Sequence, residues 1–442
     1  MAGTKYSSEG VGRRFQPYPE YKDSAIEWLG RIPAHWNTKR LKHIAPVSTE
    51  RTFYQNNKGR YVALEHIESE TGRLLTENVP EEVESTASIF KPGDVLFGKL
   101  RPYLNKVWLC NSSGACSTEF LVLRSNGEID PAYLAYQLRS REFIRWIDSM
   151  TYGTKMPRAN PEEVTSTRVA IGPFDDQIRI AAFLDRETAE IDALIAKKER
   201  LIELLQEKRT ALITQAVTKG LDPNVPMKDS GVEWLGNIPA HWEAKRLKYL
   251  STINDEALSE KTDPRFELIY IDIGGVDQYQ GIVQREELVF ENAPSRARRI
   301  VKDGDLILST VRTYLRAIAP IKNPEPNLIC STGFAVIRPS AGLESEFAAY
   351  ALRAVYFVDQ VVANSVGVSY PAIDASKMSS FPISIPEIEE QRAIAAFLDR
   401  ETERIDGLIK KIHEAIDRLK EYRATLISAA VTGKIDVHNL ID

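Results

Sequence analysis

The stretch AAFLDRETAEIDALIAKK at Ala181–Lys198 returns as AAFLDRETERIDGLIKK at Ala395–Lys411, 214 residues further on (395 minus 181). The residues around it say what element it belongs to. From Asp175 to Lys219 there is no Gly or Pro, while Pro173 stands just before and Gly220 just after, so one long helix is predicted with stop signals at both ends. Apolar residues recur at a 4-3 spacing along it: Leu184, Thr188, Ile191, Ile195, Lys198, Ile202, Leu205, Arg209, Leu212, Ala216. This is a heptad seam with three polar interruptions. The second copy runs Leu398, Thr402, Ile405, Ile409, Ile412, Ile416, Leu419, Arg423, Leu426, Ala430, and differs in kind only where Ile412 replaces Lys198. Two such helices in one chain pack economically against each other as a coiled coil, and the globular segment between them makes an antiparallel arrangement feasible. At about 1.5 Å rise per residue each spans on the order of 65 Å, enough to hold two bodies a set distance apart. A plain stalk with no measuring role has the same periodicity; the divergent unit attached to each helix favours the ruler.

The duplication extends well beyond the helix, and a repeat sets the architecture before any motif does. KDSAIEWLGRIPAHWNTKRLK at Lys22–Lys42 returns as KDSGVEWLGNIPAHWEAKRLK at Lys228–Lys248, an offset of 206 (228 minus 22). Fainter echoes follow: GDVLFGKLRPYL against GDLILSTVRTYL, and CSTEF against CSTGF. Each middle, Ala45–Ile171 and Ser251–Ile385, reads as mixed α/β, with short β-rich runs such as DVLFGKL and LILSTV between turn signals and a helical stretch after them. Ends alike and middles divergent imply one frame with two contents. The expected fold is therefore mixed α/β, with two globular units, two long antiparallel coiled-coil helices and an internal pseudo-twofold repeat. The expected boundaries are an uninterpreted extension at 1–17, a first unit at 18–172, a central helix at 173–220, a second unit at 221–385, a distal helix at 386–432 and a tail at 433–442.

At 442 residues the chain is long enough for about two to three domains. No apolar run approaches the roughly 20 residues needed to cross a bilayer, and MAGTKYSSEGVGRRF has no apolar secretory segment. Three cysteines, Cys110, Cys116 and Cys330, form no CxxC pair and are odd in number, which points to reduced thiols and a cytoplasmic protein. A net charge of -5 argues against nucleic acid only on average, because binding follows local fields.

Catalytic signatures are missing. There is no GxGxxG or GxxxxGK[ST] phosphate cradle, VTGKID at Val431 being only a tail of one, and the NPEE and NPEPN segments are turns rather than a methyltransferase signature. The six histidines are scattered, and the repeated His35-Trp36 and His241-Trp242 sit in framework context, where a structural role is expected. No metal site and no catalytic residue is assigned, so the reading is a binding protein.

Local clusters of cations and aromatics point to a nucleic-acid partner, because arginine can bridge a guanine edge and lysine anchors phosphate. In the first unit these are Lys99, Arg101, Tyr103 and Lys106 after a predicted strand, with Thr154, Lys155 and Arg158 in the loop TYGTKMPRAN. In the second they are Arg296, Arg298 and Arg299, in a run with Lys302, and then Arg312, Tyr314 and Arg316. A solvated charged face explains any single one of them somewhat better than base contact does, and it is their density on corresponding elements of both units that favours binding. Arg101 matches Arg312 and Tyr103 matches Tyr314, so these four are also framework candidates. Residues that read sequence belong where the copies differ, at Lys99, Lys155, Arg158, Arg296, Arg298 and Arg299.

The two WLGxIPAHWxxKRLK segments, the two IAAFLDRET helices entered at Gln177 and Gln391, and the closing KRTALITQAVTKG and YRATLISAAVTGK together resemble the specificity subunit of a type I restriction-modification system. The likeness covers nearly the whole chain beyond residue 18. It implies two target-recognition domains that read the halves of a bipartite site in double-stranded DNA, held apart by antiparallel helices that set the spacer. It implies docking of two methyltransferase subunits and of restriction subunits, and no membrane. S-adenosylmethionine would then belong to the methyltransferase partner and ATP and Mg to the restriction partner, with no cofactor in this chain. Two other readings use the same residues: a coiled-coil scaffold or adaptor that binds proteins rather than DNA, and an enzyme acting on DNA alone, which the absent motifs count against.

Overall fold

The computed structural model describes residues 15–54, 60–75 and 85–438. Four helices carry the architecture: α1 (Pro131–Arg139), α2 (Phe174–Lys219), α3 (Ser345–Arg353) and α4 (Ile388–Val431). Both long helices end where glycine relieves a left-handed backbone, Gly220 at φ +75° and Gly433 at φ +71°. No helix among the described residues is long and apolar enough to cross a membrane.

The chain forms two compact units, Met1–Lys198 with His413–Asp442, and Glu199–Ile412. The division differs from the boundaries drawn on the sequence, which keep each long helix whole. Each unit instead takes the first half of one long helix and the last half of the other.

In the first unit, strand Asn37–Arg40 pairs antiparallel with Arg168–Ile171, so the chain enters and leaves the globular part side by side. Inside lie a three-stranded sheet, ordered Phe120–Leu123, Val95–Gly98, Val107–Leu109, and a four-stranded sheet, ordered Arg51–Tyr54, Ser85–Phe90, Gly114–Ser117, Tyr61–Val62. Val95–Gly98 is buried at every position, as befits a central strand covered by α1. Helix α1 starts at Pro131, and the Asp130 carboxylate accepts the Tyr133 N–H at 2.9 Å.

The repeated LDRET residues moor this globular part to α2. Tyr136 of α1 donates its hydroxyl to Asp185 at 2.7 Å and lies 3.3 Å from the Thr188 hydroxyl. Gln177, 1% exposed, accepts the Asp130 N–H at 2.8 Å and donates to the Gly172 carbonyl at 3.0 Å. Thr188, an interruption in the seam, is thus a bonding partner of α1. Along the same helix Asp176 meets His438 at 3.0 Å and Asp192 meets Arg423 at 3.0 Å, so α2 and α4 run antiparallel within the unit. The last carbonyl of α4, at Val431, accepts from Gln137 at 2.8 Å and Tyr133 at 3.1 Å, which satisfies an orphan helix acceptor. Phe15 meets Phe183 edge to face at 5.4 Å, and the Gln16 carbonyl accepts the Asp436 N–H at 2.7 Å. These two residues, placed in the uninterpreted extension by sequence, therefore pack into the unit; residues 1–14 lie outside the described residues.

The second unit repeats the plan. Glu243–Arg246 pairs with Pro382–Ile385, Tyr350 of α3 donates to Asp399 at 2.6 Å and lies 3.3 Å from Thr402, and Gln391 accepts the Glu344 N–H at 2.8 Å. Arg209 meets Asp406 at 3.4 Å and Gly220 lies beside Glu390, so here too the helices are antiparallel. One sheet is ordered Ser251–Ile253, Phe334–Pro339, Leu306–Ser309, Ile318–Pro320; the other Glu286–Val289, Glu267–Ile271, Leu328–Ser331, Ala297–Ile300. In each repeat the second sheet keeps three equivalent strands and adds a fourth at opposite edges, Arg51–Tyr54 in one and Glu286–Val289 in the other. The middles thus diverge in topology as well as sequence.

On the helices Leu184, Ile191, Ile195, Ile202, Leu398, Ile405, Ile416 and Leu426 are buried, and Leu205, Leu212, Ile409, Ile412 and Leu419 half-buried. Arg209 and Arg423, the other matched interruptions, are buried and spend their charge on Asp406 and Asp192.

Candidate nucleic-acid interface

One end of each globular part is built from two loops of the same backbone. After Val95–Gly98 the chain enters Arg101 at φ 50°, a 3-10 turn at Pro102–Leu104, and Asn105 at φ 51°. After Leu306–Ser309 it enters Arg312 at φ 52°, the turn Thr313–Leu315, and Arg316 at φ 52°. Left-handed backbone is uncommon outside glycine, so two such residues at matched places in both repeats mark a constrained loop. What holds it is a second loop. The Arg101 N–H donates to the Pro157 carbonyl at 2.7 Å, and the Arg312 N–H to the Pro371 carbonyl at 2.7 Å. Tyr152 bridges Arg158 around Gly153, and Val366 bridges Ala372 around Gly367.

The side chains on this shared backbone differ in kind. TYGTKMPRA (151–159) in the first repeat corresponds in sequence to SVGVSYPAI (365–373) in the second, at the offset of 214 (365 minus 151). Tyr103, Tyr152, Thr154, Lys155, Met156 and Arg158 are exposed on one; Tyr314, Leu315, Val366, Val368 and Tyr370 are exposed on the other. The residues 366–370 were not among the sequence candidates, because the search there followed cations. The constant offset was the signal that pointed to them.

The candidate residues sort by what their charges already meet. Lys155 is exposed with no ion pair among the described contacts, whereas Arg158 forms a two-pronged pair with Glu119 at 2.7 and 3.2 Å. Lys99 lies beneath this loop, its carbonyl accepting the Ala159 N–H, and burial lowers its pKa despite Glu119. Lys106 points inward and donates to the Leu64 carbonyl at 2.7 Å, which removes it from an outward-facing cluster. Arg101 is half-buried with an unbonded Nε. In the second repeat Arg312 lies 4.5 Å over the Tyr370 ring and Arg316 pairs with Asp359 at 3.3 Å. Arg296, Arg298 and Arg299 lie apart from these loops, on and just before strand Ala297–Ile300. Arg296 pairs with Asp272 at 3.0 Å, Arg298 lies 4.5 Å over Phe290, and the half-buried Arg299 guanidinium acts on the buried Cys330. Lys302 pairs with Glu256. That pair belongs to a framework cluster found twice: Arg124 on Asp94 and Glu50 at 2.8 and 2.6 Å, and Arg338 on Asp305 and Glu256 at 2.8 and 2.7 Å.

Chemistry other than binding finds little here. The three thiols are free and buried, and burial pushes Cys116 and Cys330 up to about 12. Among the described residues no group of three or more His, Cys, Asp or Glu is placed to hold a metal ion. His35 contacts Asp176 at 3.3 Å and His241 contacts Glu390 at 2.9 Å, each near the start of a long helix, while Trp36 and Trp242 are fully buried.

Residues 33–204 and 239–418, one stretch in each repeat, match the family described as type I restriction modification DNA specificity domain. The chain belongs to this family. It is 23% identical to the specificity subunit of the type I restriction enzyme MjaVIII of Methanocaldococcus jannaschii, over 93% of this chain and 95% of that one. It is 20% identical to the EcoKI specificity subunit of Escherichia coli K12, over 92% of this chain and 90% of that one. Among solved structures, one concerned with complex assembly and conformational transition of the type I R-M system superposes with a TM-score of 0.69 at 21% identity, covering 90% of this chain and 98% of the other. The HsdS subunit from Thermoanaerobacter tengcongensis does so at 0.51 and 22%, covering 91% and 98%. These likenesses carry the two-repeat fold across the whole length.

Proposed function

We propose that the chain is the DNA sequence-specificity subunit of a type I restriction-modification enzyme, non-catalytic in itself. Its two globular parts are target-recognition domains, each reading half of a bipartite duplex site through its paired loops. The observation that carries this reading is the loop pair built twice on one backbone with different side chains. A shared backbone presents each loop to a groove in the same way, while Lys155 and Arg158 in one and Val366, Val368 and Tyr370 in the other change what is read. The long helices set the spacer, and the framework segments dock two methyltransferase subunits, which hold S-adenosylmethionine, and the ATP- and Mg-dependent restriction subunits. The acidic net charge is tolerable because partners supply much of the nonspecific phosphate attraction. Nothing observed favours the adaptor reading.

The test is exchange of Ala45–Ile171 for another recognition domain, followed by long-read mapping of N6-methyladenine in cells that carry the cognate methyltransferase. One half of the methylated motif should change and the other persist. A motif changed in both halves, or not at all, would contradict the assignment.

A further inference from the structure

The second unit contains an open cavity of about 290 Å³. Its wall includes Tyr279, Gly281, Arg285, Lys322 and Arg353. A smaller neighbouring cleft, sharing Tyr279 and Arg353, adds Arg209 and Arg316. Five cations thus line two adjoining clefts that share Tyr279. Four of them have a carboxylate at hand: Arg285 with Glu325 at 2.9 Å, Lys322 with Glu346 at 3.7 Å, Arg316 with Asp359 at 3.3 Å and Arg209 with Asp406 at 3.4 Å. Arg353 has none. Its guanidinium donates only to the Ile318 carbonyl, at 3.2 and 2.8 Å, among the described contacts.

The first repeat shows what closes such a space. Arg139 is the equivalent of Arg353 (353 minus 139 is the offset of 214) and donates to the Val107 carbonyl at 3.1 Å. There the turn at Gly72 lies directly on it: a Cβ at Gly72 would stand 2.0 Å from the Val107 carbonyl and 2.6 Å from the Arg139 guanidinium. In the second repeat the matching turn is a tight hairpin, Val276–Asp277 with Gly281–Ile282, and a Cβ at Gly281 would stand 3.8 Å from the Arg353 guanidinium. The hairpin stands off, and the cavity is the result. Burial, with Arg209 close by, lowers the Arg353 pKa to about 10. Asp406 acts on Arg353 only from beyond ion-pair distance, and a desolvated guanidinium beside another cation is relieved by an anion in direct contact.

We propose that this cavity is a binding site for a phosphate group, with Arg353 as its principal ligand, Arg209, Arg316 and Lys322 around it, and the Tyr279 ring as one wall. Arginine suits the planar, two-pronged contact that a phosphate offers. The phosphate can belong to a free mononucleotide-sized ligand or to the DNA backbone. The site shares Arg316 with the turn that follows Leu306–Ser309, and rests on the proposed reading only at that residue.

The experiment is calorimetric titration of the full chain with sodium phosphate at constant ionic strength, with sodium chloride as the blank. One phosphate per chain is expected, because in the first repeat the turn at Gly72 lies directly on the equivalent arginine, Arg139. Arg353→Lys should weaken it by roughly tenfold or more, the cost of losing a charged hydrogen bond, and Arg139→Lys should leave it unchanged. Lys322→Ala, at an exposed rim position on the wall of the cavity, provides a second variant and should weaken binding as well. Two equal sites, no saturable binding, or a rim variant and an Arg353→Lys protein that both bind like wild type would overturn the proposal. A second titration with a short duplex assigns the source: competition between phosphate and duplex identifies a backbone phosphate, and independence identifies a free ligand.

Discussion

Arg423 Nε lies 3.0 Å from Asp192 Oδ1, while its repeat equivalent, Arg209 Nε, lies 3.4 Å from Asp406 Oδ1. Both arginine side chains are less than a tenth exposed, but Asp192 is 19% exposed and Asp406 50%. The same pair is therefore built in a dry place and in a wet one. Asp192→Asn should cost about 3 kcal/mol by stranding a buried guanidinium. Asp406→Asn should cost about 1 kcal/mol, since water already screens that carboxylate. Urea midpoints of the two variants decide this, and equal losses would contradict it.

Tyr136 and Tyr350 make matched bonds to Asp185 and Asp399 at 2.7 and 2.6 Å. Removing either hydroxyl leaves the ring in place and one helix-mooring bond gone. Tyr136→Phe and Tyr350→Phe should each destabilise by about 1 to 2 kcal/mol, and by similar amounts. Thermal melts of both variants read the comparison directly.

Lys155 and Val368 lie one place apart on the shared loop: at the offset of 214, Val368 matches Thr154 (368 minus 154) and Ser369 matches Lys155. Lys155→Ala should lower the salt slope by about one and also reduce discrimination within its own half-site. Val368→Ala should leave the slope alone and lower affinity by about 1 kcal/mol only for duplexes that keep the cognate half-site. Binding isotherms at several salt concentrations, taken on the complex with methyltransferase, separate the two behaviours.

His438 is held by Asp436 and Asp176, and its pKa is raised above the ordinary 6.5 by those bonds, in spite of some burial. A raised histidine pKa stabilises the folded state fully below 6.5 and loses that contribution as pH climbs through the folded value. The docked C-terminal segment should therefore be tighter in mildly acidic than in alkaline buffer. His438→Gln should flatten the dependence, as read by the pH profile of amide exchange at 435–438.

Seven residues deleted between Asp192 and Arg209, with seven between Asp406 and Arg423, remove one heptad from each helix and keep all four charged residues. About 10 Å of helix is lost, equivalent to about three base pairs of duplex. The methylated motif should keep both halves and shorten its spacer accordingly. An unchanged spacer would end the ruler assignment.

Much of this architecture was legible in the residues. The helix predicted from Asp175 to Lys219 runs Phe174–Lys219, because Pro173 and Gly220 act on the backbone whatever the tertiary context. The matched Thr188 and Arg209 read as flaws in the seam, since their partners, Tyr136 and Asp406, lie off the seam and only folding brings them together. Lys106 and Arg296 looked available in sequence, and a carbonyl and a carboxylate from distant segments take them up. The apolar loop 366–370 was passed over because a charge-based search cannot see Val368, although its repeat offset marked the place.

The first compact unit draws on both Met1–Lys198 and His413–Asp442. A ribosome making this protein therefore finishes the strands of the first globular part long before it supplies Arg423 and Val431, which meet Asp192 and Gln137. Until residues 413–438 emerge, that unit lacks part of its packing. Synthesis order and folding order part company here: the second unit is complete at residue 412, so it is the one that can close first.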